Sequence, residues 1–399
     1  MQTATRSMAT QARHRMFAAM MTGQGAFGSY QTLWPLYIAA LGASPREVGL
    51  VLGLVSAIRL VAVVPSGMLT DRVPAGRIIV GGQLLMVAGL VAYAVSRTWW
   101  QLLPAGLVFA CGAASFPAIL ATVAAIAGHG PQRVRTFTLI NTVAPSIGLL
   151  VAPGLGGLIA ARVGLRAVFV FAAALTLVTA ALFARVPVPA PPPVDAEAER
   201  VTYRSTLRQT PILRWCLLEM AAIFCVTLGA TFVPNYLHDV HGVSDGVIGA
   251  FGALSAVGSI ALGLIVHRVP RFRRPVPGIA LALLSVVGAM VLVVGGGRLA
   301  AFAAAYVLLG GFFATWTLFE AALSGVASAT FRGRAYALAE ILSGAGYALG
   351  PVVAGLLYAR DPREPMLVGA ALILALVVVL AGLARRGSIP EATHVEPAA

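Results

Sequence analysis

The chain has 399 residues, 59% hydrophobic and 11% charged, with 28 basic against 14 acidic residues and a formal net charge of +14. Soluble domains carry about a quarter charged residues, so this composition excludes a water-soluble globule with an ordinary polar coat. Every basic residue is arginine; without a lysine no P-loop can hold nucleotide phosphates, and any uphill work must draw on an ion gradient or a partner.

The apolar residues fall in long runs at 17–40, 48–70, 78–96, 101–127, 136–161, 167–186, 212–237, 247–266, 276–294, 299–327, 335–359 and 366–384. About 20 helical residues cross a hydrocarbon layer of about 30 Å, whereas barrel strands alternate and run to about 10. The prediction is an all-α membrane protein with twelve transmembrane helices. With the N-terminus placed inside, the inner loops and tails collect most arginines, and the outer loops hold only Arg46, Arg97, Arg162, Arg166, Arg298, Arg360 and Arg363. That bias predicts both termini in the cytoplasm and residence in the cytoplasmic (inner) membrane. The net charge thus belongs to the bilayer, and no basic run interleaved with aromatics points to nucleic acid. The first run is too long and too interrupted for a cleavable signal, which predicts a permanent helix. Cys111, Cys216 and Cys225 all fall inside apolar runs, which argues against a structural disulfide.

Along the chain, the first run carries Gln24, Phe27, Gln31 and Trp34 at helical spacing. Ordinary packing gives such a stripe; so does a ligand-lining face, because amides in an apolar medium need partners. Aromatic rings would suit lipophilic or cationic compounds. Arg59 lies near the middle of the second run. It cannot titrate, and its natural roles are counter-ion to an acid or anchor for an anion. A short charged turn follows, with Gly67, Asp71, Arg72 and, further on, Arg77. Gly67 permits close helix approach, Asp71 can accept backbone N–H bonds at a helix start, and Arg72 can bridge to a carboxylate or to carbonyls. In the fifth run Gly148, Ala152, Pro153, Gly156 and Gly157 bring small residues together around a helix-bending proline.

The segment 187–210 begins Pro-rich, turns charged and holds no apolar run, which reads as a cytoplasmic linker between 1–186 and 211–399. The two flanking parts repeat each other. TLWPLYIAALGAS (32–44) matches TFVPNYLHDVHGVS (231–244), and the Gly67 turn recurs at Gly263 with His267 in place of Asp71. RVRTFTL (133–139) matches RGRAYAL (332–338), and GLLVAPGLGG (148–157) matches GYALGPVVAG (346–355). Four segments in the same order imply duplicated halves, which turns Gly346, Gly350, Pro351 and Gly355 into a second copy of the proline motif.

The second half holds three carboxylates in apolar runs, Glu219, Glu320 and Glu340. A charge at mid-bilayer costs about 2.5–3.5 kcal/mol, so such residues face an interior and have work to do. Desolvation favours the neutral acid, which makes each a candidate proton carrier. Glu340 lies near a helix start, where satisfying the dipole is an equally good account, and Glu219 can reach toward the interface. Glu320 is the leading candidate, because Phe313, Trp316 and Glu320 share one helix face. In the outer loop His238, Asp239, His241 and Asp245 have spacing too loose to assign a metal, and no metal or other cofactor is expected.

These repeats and motifs resemble the major facilitator superfamily over almost the whole chain, most strongly its twelve-helix drug:proton antiporter branch. The resemblance implies the major facilitator fold, two pseudo-symmetric six-helix bundles with helices 1, 4, 7 and 10 lining a central cavity. It implies that Gly67, Asp71 and Arg72 brace the cytoplasmic gate; Pro74 stands where the family has glycine, which leaves the role of Arg77 open. It implies that the Gly148 to Gly157 segment is the antiporter motif of exporters, with Ala152 where glycine is commoner. The family's helix 4 arginine, four residues before Gly112, is Val108 here, so the coupling machinery must differ. The function expected is proton-coupled export of small amphipathic or drug-like molecules by alternating access, by a monomer that is not an enzyme and binds no nucleotide. The alternatives are a transporter of a sugar, amino acid or lipid, working in export or uptake, and a non-transporting membrane sensor or scaffold.

Overall fold

The computed structural model describes residues 2–63, 73–127, 132–186, 209–327 and 329–386, whose regular structure is helical throughout. Gly67, Asp71 and Arg72, and residues 187–208 of the predicted linker, lie outside the described residues.

Ten helical segments among the described residues are long and apolar enough to cross a bilayer, against twelve predicted. They begin with Ala75–Val95 and end with Glu364–Arg385, and each coincides with a predicted run from 78–96 onward. The first two runs are helical as well, as Gln2–Gln31 with Trp34–Ala40 and as Pro45–Val63. They fall short for a chemical reason. Gln24 and Gln31 dilute the first, which also breaks, and Arg46, Glu47 and Arg59 charge the described part of the second.

Proline sets the breaks. Pro35 has no N–H to offer the carbonyl of Gln31, and its ring crowds that carbonyl, so one helix ends at Gln31 and another starts at Trp34. Pro234 does the same to Ala230, dividing Thr210–Ala230 from Val233–Asp239. Both short helices then turn through a glycine with positive φ, Gly42 at 86° and Gly242 at 64°, a conformation that costs other residues more. Pro145 follows a wide π turn at Leu139–Val143, which accommodates the bond the proline cannot make. Pro153 and Pro351 stay inside Ala144–Arg162 and Ala329–Tyr358.

The chain divides into two compact units. The first comprises Met1–Glu47, Leu54–Pro192 and Leu237–Ala253, the second Val48–Gly53, Pro193–Tyr236 and Leu254–Ala399. In the first, Gln2–Gln31 packs along Ala144–Arg162 and Leu165–Phe183, and Ala75–Val95 lies against Leu165–Phe183 and Leu102–Gly112. One cluster of its core joins Met16, Ala19, Ile79, Val123 and Phe183. In the second, Thr210–Ala230 is central and packs on Ala329–Tyr358, Glu364–Arg385 and Gly311–Val326. Lipid tails are as apolar as leucine, so helix association in a bilayer rests on close packing rather than on water exclusion.

Candidate functional site

Three helices of the second unit carry the acidic residues. Glu219, on Thr210–Ala230, is 2% exposed. Glu320, on Gly311–Val326, is exposed, and Glu340, on Ala329–Tyr358, is half-buried. Thr210–Ala230 packs against both other helices, and this brings the carboxyls within electrostatic reach of one another. Glu219 feels the charges of Glu320 and Glu340, and Glu320 feels that of Glu340.

The surroundings of Glu320 are aromatic. The indole of Trp316, one turn earlier, is close enough to its carboxylate to act on it electrostatically. Trp316 lies 6.3 Å from the ring of Tyr347 on the neighbouring helix, and Tyr347 lies 6.2 Å from Phe312. Phe312 meets Phe313 edge to face at 5.2 Å. The predicted face of Phe313, Trp316 and Glu320 is therefore extended by two rings the sequence reading missed. Tyr347 had a signal: it falls seven residues after Glu340, on the same side of its helix. Beneath the acids, Trp215 packs edge to face on Phe319 at 6.0 Å. Its indole nitrogen is buried without a hydrogen-bond partner among the described residues. The thiol of Cys216 donates a weak bond to the carbonyl of Ala335, at 3.9 Å.

In the first unit the predicted stripe divides at the helix break. Gln24, Phe27 and Gln31 remain half-buried on Gln2–Gln31, with Phe27 edge-on to Tyr30 at 5.7 Å. Trp34 belongs to an aromatic nest, 4.6 Å from Tyr93, 5.1 Å from Phe169 and stacked on Tyr37 at 6.1 Å. Tyr37 donates its hydroxyl to the carbonyl of Tyr93 at 2.6 Å. Arg59 is exposed, and its guanidinium lies 5.7 Å from the centre of the Phe116 ring, a cation–π contact.

Both copies of the proline motif are packing surfaces with one geometry. A methyl at Gly148 would strike the carbonyl of Met21, and one at Gly156 that of Ser29, so these glycines seat Ala144–Arg162 on Gln2–Gln31. Ala152 is buried beside Gly25. Pro153 and Gly157 turn toward Gly252 and toward Gly246 and Gly249. In the second copy Gly346 meets the carbonyl of Met220 and Gly350 the hydroxyl of Thr227, while Pro351 and Gly355 close on Gly49. Arg77 is exposed in the first turn of Ala75–Val95. His238 lies 3.0 Å from Asp245, tying the turn after Val233–Asp239 to the start of Asp245–Arg268.

The sequence profile of the Major Facilitator Superfamily matches residues 16–319, most of the chain. The chain belongs to the Major Facilitator Superfamily. Among curated proteins it is 29% identical, over 171 residues, to the multidrug resistance protein MdtG of Dickeya zeae (strain Ech586), and the match covers 41% of each chain. Among solved structures it is similar to a bacterial homologue of the human lysosomal transporter Spinster in an inward-facing, unoccupied conformation, at a TM-score of 0.71 and 18% identity, over 95% of this chain and 96% of that one. It is also similar to the nucleoside transporter NupG, at 0.77 and 14%, covering 93% and 99%. At these identities the likeness establishes the fold. A Major Facilitator Superfamily chain is an integral membrane transporter of small molecules, and a carboxyl set beside an aromatic face is chemistry that such a transporter can use.

Proposed function

We propose that this chain is a secondary active transporter of twelve transmembrane helices in two pseudo-symmetric six-helix bundles, exporting small amphipathic molecules in exchange for protons by alternating access. The observation that carries the reading is the coupled set Glu219, Glu320 and Glu340 beside the rings of Trp316, Tyr347 and Phe312. A proton arriving at one carboxyl changes the charge felt by the others, and so the attraction for a cationic or polarisable cargo resting on the rings. Cargo and proton then compete for one charge, which is what antiport requires. The absence of lysine removes a P-loop engine, so uphill export must draw on an ion gradient or a partner, and the carboxyl set favours the gradient. The partial match to a protein named for multidrug resistance supports export of drug-like cargo.

A second reading is favoured by Arg59. Arg59, exposed and in contact with the Phe116 ring, is a permanent cation within an apolar run, and a permanent cation suits an amino acid or an anionic lipid as cargo. One experiment decides between them: flux in proteoliposomes under an imposed pH gradient, run with a lipophilic cation and with an anionic solute. Gradient-driven cation movement, lost in Glu320→Gln, is the expected result. Anion movement that depends on Arg59 and ignores Glu320 would replace the first reading with the second.

A further inference from the structure

The turn that joins Asp245–Arg268 to Pro275–Gly295 carries Arg268, Arg271, Arg273 and Arg274 within seven residues. All four are exposed, and no Asp or Glu occurs in the sequence from 246 to 319. Its counterpart in the first half holds two arginines and one acid over the matching positions, Asp71, Arg72 and Arg77. The repeat has thus lost its acid, His267 taking that place, and gained arginines at 271 and 274 where Ala75 and Ile78 stand in the first copy.

The backbone of this turn is fixed. Pro270 opens a tight 3-10 turn at Pro270–Arg273, and Pro275 opens the next helix with Arg274 as its cap residue. Arg273 is committed to the fold. Its Nε donates to the carbonyl of His267 at 2.8 Å, which satisfies the end of the preceding helix where a cation is favoured. Arg268, Arg271 and Arg274 remain, spaced three residues apart, and among the described residues no carboxylate pairs with them. Both flanking helices are apolar enough to cross a bilayer, so a turn of six residues between them cannot leave the headgroup layer.

We infer that this turn is a docking surface for anionic phospholipid headgroups, with Arg268, Arg271 and Arg274 supplying the phosphate contacts. Arginine suits the task, because its planar fork binds two phosphate oxygens at once. The occupant is a lipid rather than a soluble anion, because the turn lies at the depth where lipid phosphates already are. Each arginine near an anionic surface multiplies binding by a factor of about five, so removing two weakens it about 25-fold.

The test titrates the purified full-length protein in detergent with phosphatidylglycerol, phosphatidylcholine or inorganic phosphate, and reads the thermal unfolding midpoint. Phosphatidylglycerol raises the midpoint and the other two do not. Arg271→Gln/Arg274→Gln needs about 25-fold more phosphatidylglycerol for half the effect. Arg360→Gln/Arg363→Gln, in a turn that also holds Asp361 and Glu364, titrates as the wild type does. A wild-type titration in the first variant, an equal loss in the second, or the same rise with inorganic phosphate would overturn the inference. Should the glutamine variant not fold, Arg271→Lys/Arg274→Lys takes its place. There the phosphatidylglycerol effect falls as salt rises, and an effect indifferent to salt would overturn the inference equally.

Discussion

Glu219 and Glu320, on separate helices of the second unit, lie close enough for the charge of one to act on the other. If the two exchange protons as one set, their neutralisations do not add. Glu219→Gln and Glu320→Gln each cut pH-driven flux at least about tenfold, a loss of about 1.4 kcal/mol or more in coupling, and the double variant loses little more than the worse single one. Flux in liposomes under a fixed gradient, measured for all four proteins, gives the cycle. Fully additive losses would mean two independent sites.

Gly156 and Gly154 are two residues apart on one helix and differ in what surrounds them. A side chain at Gly156 runs into the Ser29 backbone, whereas nothing lies within 4 Å of one at Gly154. Overpacking against a side chain costs about 1–3 kcal/mol, and backbone yields less readily than a side chain. Gly156→Leu therefore lowers the yield of monodisperse protein and its unfolding midpoint, and Gly154→Leu leaves both near wild type. Size-exclusion profiles and thermal unfolding in one detergent make the comparison.

The guanidinium of Arg59 rests over Phe116. At an exposed site such a contact is worth about 0.5–1 kcal/mol. A double-mutant cycle of Arg59→Gln and Phe116→Leu, read by unfolding free energy, returns a coupling of that size. A coupling near zero would show that the two groups are merely adjacent.

Glu47 begins its helix outside the apolar run, and the backbone N–H of Ser44 donates to its carboxylate at 2.7 Å. That bond holds the carboxyl below its ordinary range. A lowered folded value stabilises the turn at pH above the unfolded pKa of about 4.3, and the contribution disappears as pH falls through the folded value. The protection factor of the Ser44 amide, its exchange rate relative to the intrinsic rate at the same pH, falls over that acidic interval in the wild type. In Glu47→Gln it is already low at neutral pH and shows no such step.

The membrane-crossing runs were legible because hydrophobic length is local information, and all ten spans found sit on predicted runs. The repeat was legible for the same reason, down to Pro35 and Pro234, which break their helices at equivalent places. The lateral partners were not. Nothing in the periodicity of 24, 27, 31 and 34 reveals that the helix stops at Gln31 and sends Trp34 into a nest with Tyr93 and Phe169. Tyr347 joins the acidic face only because Ala329–Tyr358 packs beside the same central helix, a relation between distant segments. Glycine spacing marked Gly148 and Gly156 as packing positions without naming Met21 and Ser29 as what they meet.

The nearness of Trp316 to Glu320 has an optical consequence. Indole emission shifts in wavelength and brightness when charge appears or vanishes close to the ring, so loading of Glu320 should be visible as a colour change with no added dye. The chain has five tryptophans, and subtracting the spectrum of Trp316→Phe isolates this one. Occupancy of the carboxyl can then be followed in real time, in the same cuvette in which cargo is mixed.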